Sequence, residues 1–180
     1  LVVCSPTGYS GWTYTQKHNG LALDGQLQLQ GREVDLTSVR GGYDFSAGYM
    51  RRETSWRWAS INGSCHGISV GLNLAAGVNE TGLSENACWV NGVCMYLPPV
   101  HFAFKRDDPD APWHIYSDDG RIDLHFMPRN CRRERRNLWL LKSNFRQFIG
   151  HFHGSVVLDN GQRLALSQVP GLTEDHFAKW

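Results

Sequence analysis

Residues 113–128 read WHIYSDDGRIDLHFMP. The Asp118-Asp119-Gly120 cluster is a turn signal, because short polar side chains bond the nearby backbone and glycine accepts positive φ. On the return arm Ile122, Leu124 and Phe126 alternate with Asp123 and His125. Successive side chains on a strand point to opposite faces, so the apolar three share one face and the polar pair the other. The stretch therefore predicts an antiparallel hairpin with one face in a core.

The same plan recurs on both sides. LALDGQLQLQGREVDL (21–36) alternates through Leu27 and Leu29, turns at Gly31-Arg32 and returns through Val34 and Leu36. ACWVNGVCMYL (87–97) sets two short apolar runs around Asn91-Gly92, the strongest local signal for a two-residue type I′ hairpin. GHFHGSVVLDNGQRLALS (150–167) repeats it at Asn160-Gly161. Turn signals every ten or so residues, with no long stretch of helical period, predict an all-β antiparallel fold. Consecutive hairpins make an up-and-down meander, and closing it into a barrel removes its exposed edges. The expectation is one β-barrel domain over residues 1–180. PGLTEDHFAKW (170–180) is the one segment expected to be helical, a short C-terminal helix capped by Thr173.

Composition excludes several classes. With a net charge of +1 there is no global electrostatic attraction to nucleic acid or an anionic membrane. No apolar run approaches the roughly 20 residues of a membrane-spanning helix, so no membrane span is expected. Five irregularly spaced cysteines with no CxxC fit neither a disulfide framework nor a zinc site, which favours reduced, packed thiols and a cytoplasmic setting. The sequons at Asn62 and Asn79 matter only in a secreted protein. No GxSxG, P-loop, HExxH or dinucleotide fingerprint occurs.

YTQK (14–17), DFSAGYMRRETSWRWAS (44–60), GISVGLNL (67–74) and TGLSENACWVNG (81–92) follow one another in order, and PWHIYSDDGRIDLHFMP (112–128) and FRQFIGHFHG (145–154) continue the series. Together these blocks resemble the C-terminal half of the domain-of-unknown-function family 2804. That family is similar in architecture to carotenoid hydratases of the hydroxyneurosporene synthase type, whose chains carry two consecutive lipocalin-like barrels. The resemblance implies a lipocalin-like (calycin-type) barrel, the second of two, whose partner is an N-terminal barrel in a longer chain. It also implies a small hydrophobic ligand, with isoprenoids as the substrates of the hydratase relatives.

On their own chemistry, the candidate site residues each have two readings. Asp44, between Tyr43 and Phe45, is either a proton donor among aromatics or a turn aspartate bonded to backbone. Glu85, beside Asn86, is either a buried acid facing a cavity or the salt-bridge partner of Arg51, Arg52 or Arg57. Trp56 and Trp58 share a strand face that is expected to point inward, with Arg57 outward or bridging an acid. With Trp89 they either wall an apolar ligand or fill a narrow barrel. Asn73, flanked by Leu72 and Leu74, orients a ligand head if its amide finds a partner, and is otherwise surface. Gln147, in the FRQFIGHFHG block, joins Trp56, Trp58, Asn73, Asn86 and Trp89 as a candidate ligand contact.

Other features have duller readings. His151, His153 and His125 lack further ligands at a defined spacing, so no metal is expected. Glu174 and His176 form a possible acid–base pair, but on a segment expected to plug or pack against the barrel. Between Arg121 and Arg146 there are eight basic and two acidic residues. That run reads as a solvated loop and edge strand, and without interleaved aromatics no nucleic-acid partner is expected.

Three functions follow: a non-enzymatic barrel binding a small hydrophobic molecule, lipid or isoprenoid; a cofactor-independent hydratase, isomerase or cyclase working by acid catalysis; and a structural half supporting an N-terminal domain.

Overall fold

The computed structural model describes residues 1–8, 10–77 and 82–180; the sequon at Asn79 lies outside the described residues. Among the described residues there are fourteen strands: β1 (Val2–Thr7), β2 (Gly11–Ala22), β3 (Leu27–Leu29), β4 (Arg32–Val34), β5 (Arg40–Gly48), β6 (Glu53–Cys65), β7 (Ile68–Ala76), β8 (Ala87–Val90), β9 (Val93–Tyr96), β10 (His101–Ala103), β11 (Trp113–Tyr116), β12 (Ile122–Leu138), β13 (Leu141–Val157) and β14 (Arg163–Lys179).

Nine strands form one antiparallel sheet in the order β10-β11-β12-β13-β14-β6-β7-β8-β9. Laid flat, eight interstrand gaps of about 4.8 Å would separate its edges by roughly 38 Å. Yet β9 and β10, the two edges, are joined by residues 97–100 alone, and five steps of extended chain reach about 18 Å at most. The sheet must therefore curl until its edges approach. It is a half-barrel where a closed or nearly closed barrel was expected, since β9 and β10 do not pair.

The concave face holds the core. Ile61, Leu72, Ile115, Leu124, Phe126 and Phe152 are fully buried there, and Phe126 packs on Phe152 with ring centroids 4.7 Å apart. The alternation read from residues 122–126 is realised, since Ile122, Leu124 and Phe126 are buried while Asp123 and His125 are exposed. The hairpin at Asn91-Gly92 forms as expected, whereas the earlier one turns at Gln30-Gly31, one residue before the Gly31-Arg32 expected, with Arg32 already in β4. Asn91 (φ 48°) and Gly92 (φ 84°) join β8 to β9, and Gln30 (φ 51°) and Gly31 (φ 77°) join β3 to β4, both in the type I′ pattern of two positive φ angles.

A second sheet, β1-β2-β5, packs against the outer face of β6, β7 and β8, which are consequently covered on both sides. Gly71 makes this approach possible, because a Cβ there would collide with the Asn19 and Gly20 backbone. Polar side chains hold the layers together. Asn19 Nδ2 donates to Ser60 Oγ at 2.8 Å and to the Leu72 carbonyl at 2.6 Å, and the Gly20 N–H donates to Asn62 Oδ1 at 2.8 Å.

Three expectations are corrected. The C-terminal helix does not exist: residues 163–179 are a strand, and Thr173 is a buried residue in it rather than a cap. Both β13 and β6 pair with this segment, so its backbone groups are satisfied by two neighbours, which a short isolated helix cannot match. Pro170 is tolerated because the ladder with β6 begins only at Gly171. Second, Trp56 and Trp58 point away from the barrel interior, which Ala59 and Ile61 fill; they face the layer between the two sheets. Third, the cysteines are all free, but only Cys65 and Cys88 are buried, while Cys4 and Cys94 are exposed. Burial pushes the Cys88 thiol up to about 12, so it stays protonated and inert. The arginine run is strand rather than loop. Beyond Phe126, β12 pairs only with β13, so its other edge is free, as the edge reading anticipated. No helix among the described residues is long and apolar enough to cross a membrane.

Candidate functional site

The inward-facing residues of β2 are Thr13, Thr15, Lys17 and Asn19, all buried and all polar. A strand with such a face cannot be held by apolar contact alone: Lys17 and Asn19 find polar partners across the layer, Thr15 Oγ1 pairs with Ser46 Oγ in its own sheet, and Thr13 Oγ1 has no hydrogen-bond partner among the described residues. Where β2 and β5 overlie β6 and β14 the two sheets part, leaving a cleft of about 490 Å³. Trp56, Trp58, Met50, Leu172 and Trp180 supply its apolar walls, and Lys17, Asp44, Glu85 and Glu174 its charges.

Lys17 is the centre of the charged end. Its side chain is 6% exposed, and its Nζ lies 2.7 Å from Asp44 Oδ2 and 3.2 Å from Glu85 Oε2. The same ammonium stands 5.6 Å from the Trp58 ring centroid, within range of cation–π attraction. Glu85 is as buried as Lys17 (8% exposed), whereas Asp44 is partly open to solvent. Burying an ammonium is tolerable only with such partners.

Asparagines lock this arrangement from behind. Asn73 is fully buried; its Oδ1 accepts from Trp58 Nε1 at 2.7 Å and its Nδ2 donates to the Glu85 carbonyl at 2.7 Å. It thereby ties one wall indole to the loop that carries Glu85. Asn86 accepts from the Ala75 N–H and donates to the Pro98 carbonyl, which pins that loop to β7 and to the segment after β9.

The far end is organised around Glu174 on β14. Its two oxygens accept from Trp56 Nε1 at 3.1 Å and from Gln147 Nε2 at 2.8 Å. His176, two residues on and therefore on the same face, meets the Trp56 ring at 4.2 Å and bonds Ser143 Oγ at 3.1 Å through Nε2. Burial pulls the His176 imidazole below its usual 6.5, against the opposing pull of Glu174 and Asp175. Asp175, between them, faces the opposite side of the sheet and gathers Arg57, Arg106 and Arg146.

The structure thus brings Asp44, Glu85, Trp56, Trp58 and Gln147 to one cleft. Asn73 stands behind its wall, and Asn86 is a loop lock that makes no contact with the cleft. Trp89 is elsewhere in the same layer, buried and stacked on His18 at 5.5 Å. Glu85 pairs with Lys17 rather than with Arg51, Arg52 or Arg57; Arg57 instead bridges Asp175. Lys17 is the residue sequence reasoning missed. Its only signal was the alternation of Thr13, Thr15, Lys17 and Asn19, which has no hydrophobic component to mark a buried face.

Chemically, the cleft pairs a flat apolar wall with one ammonium and three carboxylates. The cleft carboxylates do not converge with histidine or cysteine as metal ligands do. Among the described residues the grouping with that spacing is His114, Asp123 and His125, on other strands.

A family model described as a domain of unknown function (DUF2804) matches residues 1–180, and the chain belongs to that family. No curated protein and no solved structure matches it.

Proposed function

We propose, for this member of a family whose description assigns no activity, that the cleft binds a small hydrophobic molecule, a lipid or isoprenoid with a polar end. The observation that carries this reading is the placement of Trp56 and Trp58 side by side along a cleft of about 490 Å³, with Lys17 and its carboxylates at one end. A volume of that size lies in the range of small-molecule sites. The hydrocarbon would lie on the indoles, and the polar end would exchange hydrogen bonds with Lys17, Asp44 or Glu85. The likeness to lipocalin-like carotenoid hydratases read from the sequence supports an isoprenoid as ligand class. Five free cysteines accord with a reducing, cytoplasmic setting.

The test is intrinsic tryptophan fluorescence during titration with a fatty acid and with an isoprenoid alcohol. A saturable change is expected, and Trp58→Ala should abolish it while circular dichroism remains that of a folded β protein. Absence of any change in folded wild-type protein would sink the reading and favour a structural role beside an N-terminal barrel.

A second reading is acid-catalysed hydration, isomerisation or cyclisation of the same ligand without a cofactor. Three carboxylates beside an aromatic wall support it, since such a wall stabilises a carbocation. Against it, Asp44 and Glu85 both accept from Lys17, and Glu174 already accepts two hydrogen bonds. Turnover that disappears in Glu85→Gln while binding persists would favour it over simple binding.

A further inference from the structure

We propose that the outer face of β11, β12 and β13 carries a divalent transition-metal site built from His114, Asp123 and His125, with His153 as a further ligand. The site shares only β13 with the cleft, through His153 and the cleft residue Gln147, and does not depend on what the cleft binds.

The strand register creates it. His114 on β11 lies directly across from His125 on β12, and His125 lies directly across from His153 on β13. Residues opposite one another in an antiparallel pair share a face, with Cβ atoms about 4.5–5.5 Å apart. Three imidazoles thus stand in a row across three adjacent strands. Asp123 is two residues before His125, so its carboxylate rises from the same face. The apolar neighbours Ile115, Leu124 and Phe126 are fully buried on the other side of the sheet, which fixes the backbone beneath the four polar residues.

The side chains already stand close together. His114 Nε2 is 2.8 Å and His125 Nε2 is 3.9 Å from the same carboxylate oxygen, Asp123 Oδ1. The two rings stack 4.6 Å apart with planes only 7° from parallel, and the three ligand atoms lie within 4.8 Å of one another. Metal–ligand bonds of about 2.0–2.2 Å in a tetrahedron put ligand atoms roughly 3.3–3.5 Å apart. The His114 and His125 separations from Asp123 Oδ1 bracket that value, and turning one ring out of the stack would point both ring nitrogens at a shared ion. His153 makes no side-chain hydrogen bond or ion pair among the described residues, which leaves its ring free to join. Imidazoles with one carboxylate suit Zn²⁺, Ni²⁺, Co²⁺ or Cu²⁺, whereas Ca²⁺ and Mg²⁺ prefer oxygen ligands alone. A bound ion would clamp β11 to β12 and β13, so it should stabilise the fold by mass action.

This grouping could not be assembled from sequence spacing. His151 and His153 are the visible pair, but His151 lies opposite Met127, one step away from the row. The pairing that matters joins residues 114, 125 and 153, which only the register brings together.

The experiment is a titration of the untagged chain with Co²⁺, followed by absorption in the visible range, and with Zn²⁺ and Ni²⁺, followed by calorimetry. One ion per chain is expected, with a rise in melting temperature that a chelator reverses. His125→Ala, which removes the central ligand, should weaken binding by at least about tenfold, since even groups that merely orient a ligand are worth that much. Asp123→Asn and His153→Ala should each weaken it less than His125→Ala. Asp123 and His125 are exposed and His114 and His153 half-buried, so the variants should fold; circular dichroism checks that they do. The proposal is overturned if folded wild-type protein takes up no ion, or if His125→Ala and His114→Ala bind as wild type does. It is equally overturned if uptake is lost only when the exposed thiols are removed in Cys4→Ser/Cys94→Ser.

Discussion

The two faces of β6 and β7 make opposite uses of the same strands. On the concave face Ala59, Ile61, Leu72 and Leu74 are fully buried in an apolar core. On the other face Trp58, Ser60, Gly71 and Asn73 lie under β2, which contributes Thr13, Thr15, Lys17 and Asn19. The two layers are held by different physics. The core is held by non-directional burial, which tolerates changes of shape so long as volume is kept. The outer layer is held by directional bonds, each of which needs its particular partner. A cleft lined by oriented polar groups can arise only in the second.

The largest expected effect tests the core side. Phe126→Ala should destabilise the fold by about 3–5 kcal/mol in urea denaturation, the usual cost of a phenylalanine-sized cavity. A cost below about 1 kcal/mol would mean the curled sheet does not depend on its concave packing. The next tests the polar layer. Lys17→Met leaves the buried Glu85 carboxylate without its ammonium and should cost about 3 kcal/mol. Lys17→Met/Glu85→Gln should recover part of that loss, because the unpaired charge is gone. If the double variant is no better than the single, the Lys17–Glu85 pair is not what makes the layer fragile.

The smallest effect is a pH dependence at the edge of the cleft. The His176 imidazole is held below its usual 6.5 in the folded protein, so the unfolded chain binds that proton more readily. Its contribution to stability is complete above the unfolded value and is lost as pH falls through the lowered folded value. Wild type should therefore lose slightly more stability than His176→Gln as pH is lowered from 7 to 5. The other histidines are common to both proteins, so the difference in slope isolates this one. Parallel slopes would show that His176 titrates as it does in the unfolded chain.

Much of the fold was legible because hairpins are local. Asn91-Gly92, Asp118-Asp119-Gly120 and Asn160-Gly161 mark turns whose geometry depends on the residues themselves. The final segment was misread because PGLTEDHFAKW carries helix-like capping signals and little alternation. Its strand state comes from β6 and β13 on either side, partners distant in sequence. The tryptophan pair was legible as a shared face, but not which layer that face adjoins. Asp44 stood out as a carboxylate between aromatics and Glu85 as an acid beside Asn86, whereas Lys17 did not stand out, since an alternation of polar residues looks like exposed surface.

The sequence by itself determined that this chain is an antiparallel β protein, where most of its turns fall, and which side chains share a face. These follow from dihedral preference and the two-residue period of a strand, which are local properties. Tertiary structure decided the rest: that β14 closes onto β6, that the small sheet lies outside the barrel rather than in it, and that Lys17, Asp44, Glu85 and Glu174 meet beside Trp56 and Trp58. Those outcomes depend on long-range pairing and on the need of every buried charge for a partner, and neither is written in any local stretch of the chain.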